Sequence, residues 1–323
     1  MINITPNSNF RSLCGDSHNT SQTEEYKRYR SAWLEYPQKF HLAEFPLNLD
    51  IEITSRCNLR CTFCDKLPLL GKDNMGDMDL HIFKKIIDEG ASYKLCAVKL
   101  SYRGEPLLHK DVVTMVKYAK DRGILDVYFN TNGMLLSECL SEQLIDSGLD
   151  RISISIEGTD PLRFEKERIG AKFDKIKRNV ERLYTAREQR GVKHPRIRIQ
   201  TVTLPYIDLQ EYCTYWKAYC DEVAAVDYKD ETERQRDLVY NWACPQLWQR
   251  MTIEWDGTVL PCNNDDDRLL SPGNIKEKTI FDCWHDPAVE RIRALHREGK
   301  SHQVEDCNGC PWRTAQIEKL PRT

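Results

Sequence analysis

From about residue 47 to residue 226, segments with the hydrophobic pattern of a strand alternate with segments that have the pattern of a helix. Short apolar runs predict strands, and segments with apolar residues three and four apart predict helices. Strand and helix segments follow one another in turn, which favours a parallel sheet with helices outside it. The predicted strands are residues 47–53, 97–102, 126–130, 151–156 and 196–204. The predicted helices of this region are residues 80–91, 110–122, 137–147 and 173–190.

This alternation has fewer units than a closed eight-fold barrel needs, so a partial, TIM-like α/β barrel fits better. We expect three parts: an N-terminal extension (1–46), the barrel (47–235) and a small C-terminal α+β domain (236–323). The extension is polar except for a predicted helix at residues 24–36, which carries three aromatic residues at near-helical spacing.

Composition narrows the class of protein. The chain has 323 residues, is 40% hydrophobic and carries a net charge of −3, which gives no indication of nucleic-acid binding. No apolar run reaches membrane-spanning length, and residues 1–14 lack the layout of a signal peptide. Thirteen cysteines in such a chain point to metal ligation in a reducing compartment. We therefore expect a cytoplasmic enzyme with a small-molecule substrate and no membrane partner.

Three cysteines stand in a C-x3-C-x2-C run directly after the first predicted strand: Cys57, Cys61 and Cys64. Thiolates are the soft ligands that iron–sulfur clusters select. Three protein ligands leave one iron of a four-iron cluster free to bind another molecule. A zinc site and buried free thiols are the alternatives for such a triplet.

Polar turns follow the next two strands, at the edge where α/β barrels carry their active sites. Gly104, Glu105 and Pro106 come after the second strand, and Asn132 follows the third. Glycine lets a backbone approach a ligand closely, and a glutamate can pair with an ammonium group. An ordinary βα turn with a charged rim is the alternative for this motif.

The fourth predicted strand places Ser153, Ser155 and Glu157 on one face, away from the isoleucines between them. Such a face suits the lining of a polar barrel interior, and a solvent-facing edge strand is the alternative. Arg168 follows in a glycine-containing loop, and an arginine fork matches a carboxylate with two parallel hydrogen bonds.

Taken in this order, the triplet and the turns resemble the signature of the radical S-adenosylmethionine (SAM) superfamily over residues 47 to about 204. The resemblance implies a partial (β/α)6 barrel, a four-iron cluster on the cysteine triplet and SAM on its open iron, which is cleaved to a 5′-deoxyadenosyl radical. Arg103 and Glu157 depart from the family pattern, which has glycine and aspartate there. The SAM-binding residues that the resemblance implies are Phe63, Gly104, Glu105, Pro106, Asn132, Ser153, Ser155 and Arg168.

A second cysteine group lies downstream, at Cys244, Cys262, Cys307 and Cys310, separated by 17, 44 and 2 residues. With the hairpin-like Asp256-Gly257 turn it resembles the SPASM/twitch auxiliary domains of this superfamily, and especially the aminocyclitol dehydrogenase of butirosin biosynthesis. Four cysteines suffice for one further four-iron cluster, and a four-thiolate zinc site is the alternative. Six cysteines lack ligand spacing and are expected to be free thiols: Cys14, Cys96, Cys139, Cys213, Cys220 and Cys283.

The resemblance implies an oxidoreductase that abstracts hydrogen from a sugar, nucleotide sugar or cyclitol. A second cluster can accept the electron that alcohol oxidation releases, and a reductant such as flavodoxin or ferredoxin would supply the first cluster. Arg103 and Lys229 are the candidate bases for the hydroxyl proton. Three alternatives stay open: epimerisation or dehydration of a sugar-like substrate, maturation of a ribosomal peptide, and a non-catalytic iron–sulfur or zinc protein. The peptide alternative ranks lower because we see no leader-binding domain in this sequence.

Overall fold

The computed structural model describes residues 2–4, 10–15, 23–69, 75–228, 236 and 238–319. Six parallel strands lie side by side in chain order, in the sequence β2, β4, β5, β6, β8 and β9. This confirms the partial α/β barrel. The strands are β1 (Phe10–Gly15), β2 (Asn48–Ile51), β3 (Arg60–Cys61), β4 (Ala97–Lys99), β5 (Asp126–Thr131), β6 (Arg151–Ser155), β7 (Arg168–Ile169), β8 (Arg196–Thr203), β9 (Glu222–Asp227), β10 (Arg250–Ile253), β11 (Thr258–Leu260) and β12 (Gly273–Asn274).

The barrel sheet continues past both of its edges. On one side β1 pairs antiparallel with β9. On the other side β10 pairs in parallel with β2 and is followed by the antiparallel strands β11 and β12. The C-terminal segment is therefore hydrogen-bonded to the barrel as part of the same ten-stranded sheet.

The four predicted helices of the barrel begin and end within two residues of the expected positions, and α5 and α7 were not predicted. Capping explains several of the starts, since Asp79, Ser137 and Asp208 each accept a hydrogen bond from a backbone N–H of the first turn. The helices are α1 (Glu24–Gln38), α2 (Leu80–Ser92), α3 (Val112–Asp121), α4 (Glu138–Asp146), α5 (Pro161–Glu167), α6 (Phe173–Gln189), α7 (Leu209–Trp216), α8 (Ile280–Trp284), α9 (Pro287–Arg297) and α10 (Pro311–Glu318). Within the described residues, no helix is long and apolar enough to cross a bilayer.

The two faces of the parallel strands differ in chemistry. Outward positions such as Val127, Phe129, Ile152 and Ile154 are fully buried in the main hydrophobic core beneath the helices. The alternate positions are polar and face the concave interior, which we call the lumen. Strand register places five of them in one row across neighbouring strands: Asp50, Lys99, Tyr128, Arg151 and Arg196.

Helix α1 packs over the lower end of this lumen. Its buried Tyr26 and Tyr29 contact Leu47 and Ala97 at the start of β2 and β4. The helix predicted for the extension is thus present and packs against the barrel, and the extension also contains β1. Cys14 of β1 is joined to Cys213 of α7 by a disulfide, so these two are not the free thiols expected.

Candidate functional site

The first cysteine loop follows β2 at the carboxyl ends of the parallel strands, which we call the upper end of the barrel. It is fastened to the loop of Arg168 by the short β3–β7 ladder, in which Cys61 lies opposite Arg168. Cys57, Cys61 and Cys64 are all partly buried. Burial, with smaller contributions from Glu157, Cys64 and Cys57, raises the pKa of Cys61 to about 11, while Arg168 opposes the shift. The three thiols thus lie near one another.

Arg168 lies against this cysteine loop. Its guanidinium forms an ion pair with the buried Glu157, with one N–H···O distance of 2.9 Å. One nitrogen is 3.8 Å from the Cys61 sulfur, and the guanidinium carbon lies 5.4 Å from the centre of the Phe63 ring. Burial opposes the charge of Arg168, but Glu157 holds its pKa above the ordinary value. The structure therefore brings together four of the residues that the sequence singled out.

The turns after β4 and β5 are tied to one another by Glu105. Its carboxylate accepts hydrogen bonds from the Thr131 hydroxyl at 2.6 Å, the Asn132 N–H at 2.7 Å and the Leu107 N–H at 3.1 Å. Burial raises the pKa of Glu105, and these bonds oppose that shift. Glu105 is only 3% exposed, and in the structure its carboxylate links the ends of two strands by hydrogen bonds. A contact between Glu105 and SAM stays a prediction.

Gly104 and Asn132 contact the cysteine loop directly. A Cβ atom on Gly104 would lie 2.2 Å from the carbonyl oxygen of Thr54, so this position requires glycine to let the two backbones approach. The Asn132 side chain donates a hydrogen bond to Asn58 Oδ1 at 2.9 Å. Asn58 lies between Cys57 and Cys61 in the sequence. Pro106 is buried at the start of a short 3-10 helix. Ser153 and Ser155 lie on the lumen face of β6.

The second cysteine set is assembled from three separate segments. Cys244 precedes a short 3-10 helix, Cys262 follows β11, and Cys307 and Cys310 lie just before α10. The pKa of Cys307 is raised first by burial and then by Cys262, Cys310 and Cys244, which places the four thiols close to one another. Asn264 bridges two of them, with its backbone N–H 3.3 Å from the Cys262 sulfur and its side-chain amide 3.4 Å from that of Cys310.

His296 is a residue of this set that sequence reasoning missed. It is fully buried on α9; its Nδ1 accepts from the backbone N–H of Cys244 at 3.0 Å, and its Nε2 is 3.5 Å from the Cys307 sulfur. Burial lowers the pKa of His296 to about 3, so the ring is neutral. Its spacing to the cysteines gives no sequence signal, since it comes from the last turn of helix α9.

Both cysteine sets have the donor chemistry that iron–sulfur clusters need, with three and four thiols that lie near one another. Within the described residues, no group of three or more His, Cys, Asp or Glu side chains converges closely enough to hold a single metal ion. The fit to clusters therefore rests on the donor type and on the proximity of the sulfurs.

Polar contacts join the two cysteine loops across the mouth of the lumen. Lys66, two residues after Cys64, forms an ion pair with Asp266 at 2.8 Å. The Tyr102 hydroxyl, from the turn after β4, donates to the Asn263 carbonyl at 2.8 Å and lies 3.3 Å from Asp266 Oδ1. The second cysteine set thus lies at the same end of the barrel as the first.

Arg103 does not have the environment of a base. Its guanidinium forms two parallel 2.7 Å hydrogen bonds to Glu52 and an ion pair of 2.5 Å to Glu254. Burial opposes its charge, but the two glutamates hold the pKa of Arg103 above its ordinary value. A guanidinium that stays protonated cannot accept the hydroxyl proton, so we do not propose Arg103 for that role. The other candidate, Lys229, lies outside the described residues.

Sequence comparison matches both halves of the site. The profile of the Radical SAM superfamily matches residues 51–205. The profile of SPASM, an iron–sulfur cluster-binding domain, matches residues 244–311. The chain belongs to the radical SAM superfamily. Its cofactors are SAM and iron–sulfur clusters on the barrel and on the auxiliary domain.

Individual relatives differ in activity. A probable GTP 3′,8-cyclase of Methanococcus maripaludis is 32% identical over 139 residues, 41% of this chain and 43% of that protein. The chain therefore matches less than half of that relative's length. A tungsten-containing aldehyde ferredoxin oxidoreductase cofactor-modifying protein of Pyrococcus furiosus is 26% identical over 83% of this chain and 88% of its own length. The crystal structure of BtrN with AdoMet and 2-DOIA has a TM-score of 0.55 at 19% identity, covering 81% of this chain and 92% of that one, which shows a shared fold.

Proposed function

We propose that this radical SAM enzyme oxidises an alcohol group of a small polar substrate, such as a sugar, nucleotide sugar or cyclitol, with the auxiliary cluster as electron acceptor. One observation carries the proposal: the second cysteine loop closes over the mouth of the lumen. Tyr102 of the barrel donates a hydrogen bond to Asn263, the neighbour of Cys262. An electron acceptor in that position would face a substrate held below the first cluster.

The lumen suits a hydroxyl-rich substrate. Its walls carry Asn130, Ser155, Gln200 and other polar side chains that keep part of their surface exposed, whereas the outward residues between them are buried. When bound, the first cluster and SAM supply a 5′-deoxyadenosyl radical that removes a hydrogen atom from carbon. The chain itself fixes which C–H bond is presented, through polar contacts in the lumen. A reductant such as flavodoxin or ferredoxin would serve the first cluster.

The test separates radical formation from substrate oxidation. The holoenzyme is screened with polyols, aminocyclitols and nucleotide-linked sugars, and deoxyadenosine and product are measured in parallel. Cys262→Ala and Cys310→Ala should spare deoxyadenosine formation yet suppress the oxidised product. Cys139→Ala is the control, because this exposed cysteine belongs to neither set.

An unchanged ratio of product to deoxyadenosine in folded variants that lack the second cluster would refute its role as electron acceptor. That result would favour a redox-neutral reaction, such as epimerisation or a cyclisation of the kind named for the methanococcal relative. Peptide maturation would show itself as turnover of a peptide and of none of the small polyols.

A further inference from the structure

The row of lumen residues defined above contains a lysine, Lys99, whose ammonium is attracted by Asp50 without forming an ion pair with it. Within the described residues, the Lys99 ammonium makes no hydrogen bond and no ion pair. Its residue is nevertheless enclosed by the barrel, between Asp50 on β2 and Tyr128 on β5. A lysine in the interior of a protein ordinarily finds a partner, because a buried unpaired charge is costly.

The carboxylates around Lys99 are already engaged. Asp50 accepts from Arg250 at 3.0 Å and from Asn48 at 2.9 Å. Asp126 at the lower end receives both hydrogen bonds of an Arg151 fork, at 2.9 and 2.6 Å. On the far wall, Glu222 is paired with Arg198 at 2.6 Å. Each of these three carboxylates has a guanidinium of its own, and Asp50 attracts the Lys99 ammonium without bonding to it.

The charge along the row is therefore positive. Arg196, at its other end, also makes no ion pair or hydrogen bond through its side chain within the described residues. Lys99 keeps part of its surface exposed. It is the last residue of β4, two residues before Ser101.

We propose that the lumen binds an anionic substrate, whose phosphate or carboxylate group is the missing partner of Lys99. This inference rests on the proposed function for the assignment of the lumen as the substrate site, and it restricts the substrate to polyols that carry a negative group. The neighbouring guanidinium of Arg250 adds to the attraction, since it is shared with Asp50 alone among the described carboxylates. A neutral polyol would leave the ammonium unpaired.

Three probes with the same carbon chain test the charge: sorbitol, gluconate and sorbitol 6-phosphate. Each is titrated into the anaerobically reconstituted holoenzyme with SAM, and binding is measured by calorimetry. Acetylation of Lys99, read by mass spectrometry, reports whether each probe covers the ammonium. Inorganic phosphate serves as a minimal fourth probe that no steric mismatch can exclude. We expect protection by phosphate and by at least one organic anion, and none by sorbitol.

Variants assign the effect to Lys99. Lys99→Met should weaken binding of the protecting anion on the order of tenfold or more, and Lys99→Arg should largely retain it. Lys117→Met is the matched control, because it removes a lysine that is 64% exposed on the outer surface and paired with Asp121. Circular dichroism confirms that the variants are folded.

Several outcomes would overturn the proposal. If no anion slows the acetylation of Lys99, the lysine is not an anion site. The same conclusion follows if Lys99→Met and wild type bind the anions equally well. If Lys99→Met still binds the anion and still forms deoxyadenosine but yields no ketone, Lys99 would instead be the proton acceptor. These results are independent of the Cys262→Ala test, so an anionic substrate and a redox-neutral reaction can be found together.

Discussion

Glu254 is the residue whose replacement should change the pH dependence of stability most clearly. It follows β10 and is fully buried. Its two carboxylate oxygens lie 2.5 Å from nitrogens of Arg103 and Arg268, yet neither accepts an aligned hydrogen bond within the described part of the chain. Burial outweighs both arginines and, with the nearby Glu52, raises the pKa of Glu254 from 4.5 to about 7.

The sign of the effect follows from proton linkage. A carboxyl whose pKa is raised by folding binds protons more tightly in the folded state, so its contribution to stability is present below pH 4.5 and is lost as pH rises through 7. Glutamine at this position does not titrate. Between pH 5 and pH 8, the free energy of unfolding of wild type should therefore fall by about 2.5 kcal/mol relative to Glu254→Gln. The melting temperatures should shift relative to each other on the order of 5 °C.

The assay is urea unfolding of both proteins under anaerobic conditions at four pH values, followed by tryptophan fluorescence. Only the change with pH matters, since the loss of two ion pairs adds an offset that is the same at every pH. Glu290→Gln is the control: this glutamate also pairs with two arginines, but it is 41% exposed, so solvent screens its interactions. Parallel pH profiles for wild type and Glu254→Gln would contradict the reasoning.

Three further results are expected. Replacing Cys57, Cys61 and Cys64 together by alanine should abolish deoxyadenosine formation, because no iron would be left to bind SAM; formation at the wild-type rate would refute the assignment. Gly104→Ala should lower the melting temperature and the iron content after reconstitution, because its Cβ would be 2.2 Å from a carbonyl oxygen; an unchanged iron content would count against the close approach. Asp266→Asn removes the ion pair across the lumen mouth, and amide hydrogen exchange in the first cysteine loop should become faster; equal exchange would mean that the pair does not hold the loop.

Much of the barrel could be predicted because its signals are local. Alternation of apolar and polar residues located five of the six parallel strands, and apolar residues three and four apart located helices such as α2. The sixth strand, β9, was not predicted: its short run Glu222–Asp227 lies next to a charged segment and offers little period to read. The polar face of β6 was predicted correctly because strand geometry alone decides it.

Long-range pairing was beyond the sequence. Nothing in the run Arg250–Ile253 indicates that it joins β2, 200 residues earlier, and β1 gives no sign that it pairs with β9. The same holds for Arg103, which the sequence offered as a candidate base. Its side chain forms ion pairs with Glu52, directly after β2, and with Glu254, directly after β10. Ion pairs across the sheet depend on which strands are neighbours, and periodicity does not give that information.

The pairing of β10 with β2 bears directly on how two clusters could work on one substrate. Cys57 follows β2, and Cys262 follows β11, which pairs with β10. The two cysteine loops thus follow two strands of one hydrogen-bonded sheet, β2 and β11, with β10 between them. The Lys66–Asp266 ion pair joins the loops again at the mouth of the lumen. A continuous sheet resists changes in the distance between strands, because moving one strand breaks its whole ladder of hydrogen bonds. In the proposed oxidation the electron must leave the substrate for the second cluster, so a distance set by the sheet would make that transfer independent of any domain motion.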